Sequence, residues 1–317
     1  MTVLSASTYC VREHLGPVTI DLTAPDGTPV HHELPYARLL ELSDFPRRAR
    51  DELGVDAIET VAFQFTGIDD PDIDRFGEGL RASGVTLLNV AIDAGDLLEP
   101  DDERRAAHIA EITEWIDRFA AIGARFVRVN PGSPFGERHG EVPPAHLVTA
   151  LVALGRHARE RGARLLVENH GGPSSDPVWM NALLDAVGDE HLGLLLDLGN
   201  FDALMLPMFT ALFGGEAFEF DGLYDDVDLT PVYAGIDALA DRAELVHVKV
   251  HEVGEDGSIG AIDLEKALGI LDAHGYDGPL TVEYEGQGGD PWEKVRHILD
   301  VTRRHAPHGT ITEGHDA

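Results

Sequence analysis

Four aliphatic stretches of the chain each run into a side chain able to bind a cation or carry a proton. They are LLVENHGG (Leu165 to Gly172) with Glu168, LLLDLGN (Leu194 to Asn200) with Asp197, LVHVKV (Leu245 to Val250) with His247, and LTVEYEG (Leu280 to Gly286) with Glu283. A charged group at the margin of an apolar core is costly unless something compensates it. Carboxylates that converge without a counter-charge also raise one another's pKa. A divalent cation resolves that conflict and leaves coordination positions open to a substrate. One histidine and three carboxylates, with no thiolate, are hard and mostly oxygen donors, which suit Mn2+ first, then Mg2+ or Co2+, with Zn2+ also compatible. The expected cofactor is therefore one divalent metal ion held by Glu168, Asp197, His247 and Glu283. The bland alternative, unrelated polar groups at strand ends, has to account for the same event on four successive strands.

The elements that must position these groups are strands read from continuous aliphatic runs: Val85 to Ile92, Ala124 to Asn130, Arg164 to Asn169, Leu192 to Asn200, Glu244 to Val250 and Leu280 to Gly286, preceded by TVLSASTYC and by Asp56 to Phe65. Runs without alternation are expected of parallel strands covered on both faces. Amphipathic stretches lie between them. The clearest runs from Asp101 to Ile122, where Ile109, Ile112, Trp115, Ile116 and Phe119 recur at three- and four-residue spacing. Eight strand-helix units predict a single (β/α)8 TIM barrel over residues 1–305, with 306–317 as a disordered polar tail. Two connections are longer than a barrel requires. Val18 to Leu34 predicts a small hairpin turning at Pro25-Asp26-Gly27 after the first strand, and Phe201 to about Thr230 predicts a long loop after the sixth. Both follow strands and should lie on the catalytic face.

Other side chains fall near the same strand ends. His170 lies two residues beyond Glu168, beside two glycines, and is expected to point toward the pocket. Lys249 keeps the strand face of His247 and can bind an oxyanion or pair with Glu285. Arg128 and Asn130 end the fourth strand, where an arginine contacts substrate or braces carboxylates. His139, in GSPFGERHGE, is a candidate acid on a loop or merely a solvated histidine.

Composition narrows the partners. A formal net charge of -33 would repel a phosphate backbone, so nucleic acid is not expected. Lysine occurs only at Lys249, Lys266 and Lys294. The single cysteine, Cys10, excludes an internal disulfide, and MTVLSASTYC lacks a basic region followed by an apolar core. The apolar stretch Leu204 to Gly215 is shorter than the ~20 residues that cross a bilayer and holds a proline. A cytoplasmic enzyme with no membrane partner is expected. That same stretch, taken as an exposed apolar loop, predicts a pocket cover or a subunit interface and hence a homo-oligomer.

VENHGG, LDLGNF, HVKVHE and VEYEG, in this order, resemble the metal-binding strand ends of the sugar phosphate isomerase/epimerase family, the xylose-isomerase-like barrels. The resemblance covers nearly the whole chain, including SASTYC and IETVAF. It implies Glu168, Asp197, His247 and Glu283 as metal ligands, with Glu168 and Glu283 as catalytic groups on opposite sides of a bound sugar. Two departures are informative. Many sugar epimerases of the family carry a histidine three residues after the aspartate, where this chain has Asn200, a residue that can still hydrogen-bond a substrate hydroxyl. The related apurinic endonucleases need further histidines where this chain has Gln64 and Asp93. The resemblance implies a small-molecule carbohydrate substrate and an enediolate reached by proton abstraction. Reprotonation then makes an isomerase or epimerase of a keto sugar or polyol-derived ketone. Loss of a β-substituent makes a lyase or dehydratase, including cleavage of 3-keto-glycosides, for which a small partner subunit is expected. A non-catalytic sugar-binding subunit is the reading from another class.

Overall fold

The aliphatic runs fold as eight parallel strands that close on themselves, because each has one face to bury against helices and the other against its neighbours across the barrel. The computed structural model describes residues 3–23, 29–132, 142–213 and 222–307. In chain order the elements are β1 (Leu4–Ser7), β2 (Val18–Thr23), β3 (Pro29–Leu34), α1 (Phe45–Leu53), β4 (Ala57–Val61), α2 (Pro71–Ser83), β5 (Thr86–Ile92), α3 (Asp102–Ala121), β6 (Phe126–Val129) and α4 (Ala145–Glu160). They continue as β7 (Arg164–Glu168), α5 (Pro177–Val187), β8 (Gly193–Asp197), α6 (Asp202–Phe213), α7 (Thr230–Leu239), β9 (Ala243–Val250), α8 (Leu264–Ala273), β10 (Leu280–Tyr284) and α9 (Pro291–His305). The barrel closes where β1 pairs with both β4 and β10, in registers Ser5↔Ala57 and Leu4↔Leu280.

The strands look uniformly apolar in sequence but have two unlike faces. Alternate residues of a strand point to opposite sides. Val167, Leu196, Val248 and Val282 join the main core beneath the helices. Ala57, Leu88, Leu166, Leu195 and Leu245, one from each of five strands, form a separate buried cluster, with Val3 and Phe126 packed against it. This second cluster is the floor of the barrel interior. Two residues further along four of those strands, on the same face, stand Glu59, Glu168, Asp197 and His247, all buried. The floor is apolar and the next layer is ionisable, so the site is built directly on the core.

Helix boundaries follow local chemistry. Asp101 caps α3 by accepting from the backbone N–H groups of Glu103 and Arg104, and Asp290 caps α9 by accepting from Trp292. β2 and β3 pair antiparallel from Val18↔Leu34 to Thr23↔Pro29, and the expected turn at Pro25-Asp26-Gly27 lies outside the described residues. The connection after β8 departs from expectation, because Asp202–Phe213 is helical rather than a loop. Leucine, methionine, phenylalanine and alanine are adequate helix formers, and Pro207 sits only one turn inside the element. Leu204 and Met205 are buried against the barrel, while Leu206 is 59% exposed. The segment is thus helical as far as Phe213 and partly buried, while residues 214–221 lie outside the described residues. Of the tail, residues 308–317 lie outside the described residues. No helix among the described residues is long and apolar enough to cross a membrane.

Candidate active site

The imidazole of His247 is the centre of the arrangement. Its Nδ1 lies 3.7 Å from Glu168 Oε1, 3.5 Å from Asp197 Oδ2 and 3.4 Å from Glu283 Oε2. That nitrogen is buried and has no hydrogen-bond partner among the described residues. Its other nitrogen, Nε2, lies 2.9 Å from Glu59 Oε2. A histidine that ligates a metal through one nitrogen commonly donates its other N–H to a carboxylate. The orphaned Nδ1 among oxygen donors is therefore what a divalent ion requires, and the residues fit it. Glu168, Asp197 and His247 offer ligand atoms all within 4.8 Å of one another. Glu283 completes the approach to Nδ1 but also holds Lys249 Nζ at 3.1 Å.

The backbone that presents these groups is itself fastened. Asn169, the amide in VENHGG, accepts from Asp197 N and donates to Asp197 O, both at 2.8 Å, locking the end of β7 to the end of β8. Gly171 and Gly172 have φ of 77° and 56°, a region that side chains disfavour, which is why the motif continues in two glycines. Ser175 then accepts from Gly171 N and donates to Asn200 O. Asn200 is consumed within the protein: its Nδ2 donates to Glu168 Oε1 at 3.0 Å and Asp197 Oδ2 at 3.1 Å, and its Oδ1 accepts from Lys249 at 3.0 Å.

Of the two options for Lys249, pairing with Glu285 is the one seen, at 3.1 Å, together with Asp197 at 3.2 Å. Arg128 braces carboxylates. Its Nε lies 2.8 Å from Glu168 Oε2, and its Nη1 donates to Asp93 and, at 3.0 Å, to Asn130. His170 has a buried Nδ1 with no hydrogen-bond partner among the described residues and adds to the field at Glu168. His139 lies outside the described residues. A surface cavity of about 440 Å³ lined by Ile259, Ile262, Leu264 and Val301 shares none of these residues.

The charges are interdependent. Burial pushes Glu168 upward, but Arg128 and His247 outweigh it and hold the carboxyl well below the usual range. Glu283 is likewise lowered, against burial, by Lys249 and His247. Asp197 moves the other way, because burial dominates there and Glu168 adds to it. Burial opposes the charge on Lys249 and His247, yet the surrounding carboxylates raise both well above their ordinary values. A metal at Nδ1 would take the place of a proton that the carboxylates otherwise retain.

Sequence reasoning missed the layer behind the ligands. Glu59 is fully inside β4, where Asn89 donates to its Oε2 at 2.7 Å and Thr281 donates to its Oε1. The available signal was a carboxylate and an amide within otherwise aliphatic strands, in AIETV and TLLNVAI. Tyr224 was missed as well, and its ring packs against His251.

A family model described as xylose isomerase-like TIM barrel matches residues 47–305. Among solved structures, an L-ribulose 3-epimerase superposes with a TM-score of 0.64 at 17% identity, over 96% of this chain and 96% of that one. A D-allulose 3-epimerase from Methylomonas sp. gives 0.62 at 14% identity, over 96% and 97%. A 3-keto-D-glucoside 4-epimerase from E. coli gives 0.58 at 15% identity, over 84% and 95%. No curated protein matches the sequence. At these identities the likeness to solved structures is one of fold.

Proposed function

We propose that this chain, which belongs to the xylose isomerase-like TIM barrel family, is a divalent-metal-dependent isomerase or epimerase of a keto sugar or a related polyol-derived ketone. The observation that carries this reading is the buried, unpartnered Nδ1 of His247 facing Glu168, Asp197 and Glu283, with Nε2 tied to Glu59. Those four residues would hold the ion, Mn2+ being the expected one, and when bound it polarises a carbonyl and acidifies the adjacent C–H. The three solved neighbours are epimerases of ketoses and of a 3-keto-glucoside, which supports a keto substrate.

The protein's own groups account for the proton movements. Glu168 ends β7 and Glu283 lies on β10, with β8 and β9 between them, and the family resemblance implies that the two carboxylates flank a bound sugar on opposite sides. Both are held ionised, Glu168 by Arg128 and Glu283 by Lys249, so either can accept the proton next to the carbonyl. For isomerisation the same carboxyl group returns that proton to the neighbouring carbon; for epimerisation the other carboxylate, after taking a proton from solvent, delivers it to the opposite face while the first releases its own to solvent. Arg128 and Asn200 keep the carboxylates in place, Lys249 offsets the charge of Asp197 and Glu283 and is itself paired with Glu285, and His170 Nδ1 is available to a substrate hydroxyl. Loss of a β-substituent from the same enediolate would make a lyase. The long connection after β8, which brings Tyr224 against His251, is the observation that keeps this second reading.

Turnover in D2O tests the first reading. The expected result is deuterium at the carbon next to the carbonyl, with Glu168→Gln or Glu283→Gln lowering kcat by several orders of magnitude, since an amide cannot accept the proton. Product free of solvent deuterium, with a substrate-deuterium isotope effect that excludes internal return, would contradict it. Release of a β-substituent in place of an isomeric sugar would select the lyase.

A further inference from the structure

Above the ligand layer the same strands carry a second polar layer. His247, Lys249 and His251 are spaced two residues apart along β9 and just past its end, as are Glu283 and Glu285 along β10. Each step rises about 7 Å toward the mouth of the barrel. Lys249 Nζ links the layers, 3.1 Å from Glu283 Oε2 below and 3.1 Å from Glu285 Oε1 above. Glu285 Oε2 lies 3.7 Å from His251 Nδ1.

The layer is closed by a residue from far along the connection between α6 and α7. Tyr224 is 7% exposed, and its ring lies 5.2 Å from that of His251 with the planes at 33°. Its hydroxyl is buried and has no hydrogen-bond partner among the described residues. A buried O–H left unpaired costs free energy, so a group that sits there must be answered by something. Burial holds this hydroxyl protonated, with Glu285 adding to that effect and Lys249 opposing it, so it stands as a donor at neutral pH.

Among the described residues, the Arg12, Arg128 and Lys249 cations of this face are already matched. Arg12 donates to the carbonyls of Tyr284, Glu285 and Gly286, Arg128 meets Asp93 and Glu168, and Lys249 meets three carboxylates. A phosphate would add negative charge beside Glu285, where the nearest described cation, Lys249, is already shared among three carboxylates. A hydroxyl group, which both donates and accepts, suits a phenol donor beside a carboxylate acceptor.

We propose that Tyr224, His251 and Glu285 form a second subsite, which binds the uncharged, hydroxylated end of the substrate distal to the reacting carbonyl, with Tyr224 Oη donating to it. This assignment rests on the reading of the metal centre as a keto-sugar site.

Calorimetric binding to the Mn2+-loaded protein tests it with two probes. D-fructose carries distal hydroxyls; dihydroxyacetone has a ketol and none beyond it. Tyr224→Phe keeps the ring against His251 and removes only the donor. It should weaken D-fructose about three- to tenfold, the usual effect of one neutral hydrogen bond, and leave both dihydroxyacetone and Mn2+ affinity unchanged. A wild-type protein that binds D-fructose, with Tyr224→Phe binding it equally well, would overturn the subsite alone. So would an equal loss for both probes. A wild-type protein that binds Mn2+ but neither probe would overturn the keto-sugar reading and the subsite together.

Discussion

The mouth of the barrel has two unlike halves. From β7 to β10 each strand delivers one of Glu168, Asp197, His247 and Glu283 to the centre, where ligand atoms of the first three lie within 4.8 Å of one another and Glu283 Oε2 lies 3.4 Å from His247 Nδ1. From β4 to β6 the strands deliver Glu59, Asn89 and Arg128, which meet those groups from behind. One half does the chemistry we propose, and the other decides the tautomer, charge and orientation with which it is done. Three carboxylates and an imidazole in a buried space are held from the second half by the Arg128 cation and the Glu59 proton acceptor, alongside Lys249 of β9.

The comparison breaks most visibly at Arg128. Its replacement by methionine leaves Glu168 buried without its guanidinium, and unpaired buried charge costs about 3–5 kcal/mol. Urea unfolding of the metal-free protein should show a loss of that size, partly restored by Mn2+. A change below about 1 kcal/mol would mean that the supporting half does little for the ligands.

Glu59→Gln is the subtler test. The amide keeps the shape but no longer accepts from His247 Nε2 as a carboxylate does. Loss of such a partner to a metal-ligating histidine typically weakens metal binding about 10–100-fold. Metal titration by calorimetry should show this with the melting temperature of the metal-free protein little changed. Unaltered affinity would place Glu59 outside the function of the centre.

The smallest effect belongs to a cluster far from the mouth. His274 lies between Asp237 and Asp241 at 3.0 and 2.7 Å, and these two carboxylates raise its pKa. A folded-state value above the unfolded one gives stability that is complete below the ordinary histidine range and is lost as pH rises through the raised value. His274→Ala should therefore lower the melting temperature at pH 5 and not at pH 9, by an amount worth less than about 1 kcal/mol, as for other exposed pairs. An equal loss at both values would show that packing, not charge, is what His274 contributes.

The halves also differ in how legible they were. Glu168, Asp197, His247 and Glu283 stand out because each interrupts an aliphatic run near a strand's end, and the strands themselves were visible as such runs. Glu59 and Asn89 sit inside runs that are buried on both faces, where a period of two leaves no trace in hydrophobicity. Their partners come from strands distant in sequence, so only closure of the barrel reveals what they do. Tyr224 is harder still, since its approach to His251 depends on the path between α6 and α7. Leu204 to Gly215 reads as an exposed loop in sequence because a long connection with a proline shows no clear helical face; the helix to Phe213 and the burial of Leu204 and Met205 depend on the barrel beside them.

The central claim, that His247 Nδ1 and its three carboxylates form a metal centre, is tested most directly by metal analysis of the purified wild-type protein beside Asp197→Ala and His247→Ala. The account predicts one divalent ion per chain in the wild type and a clear loss in both variants, with the barrel still folded by circular dichroism. Undiminished metal content in both folded variants would contradict it.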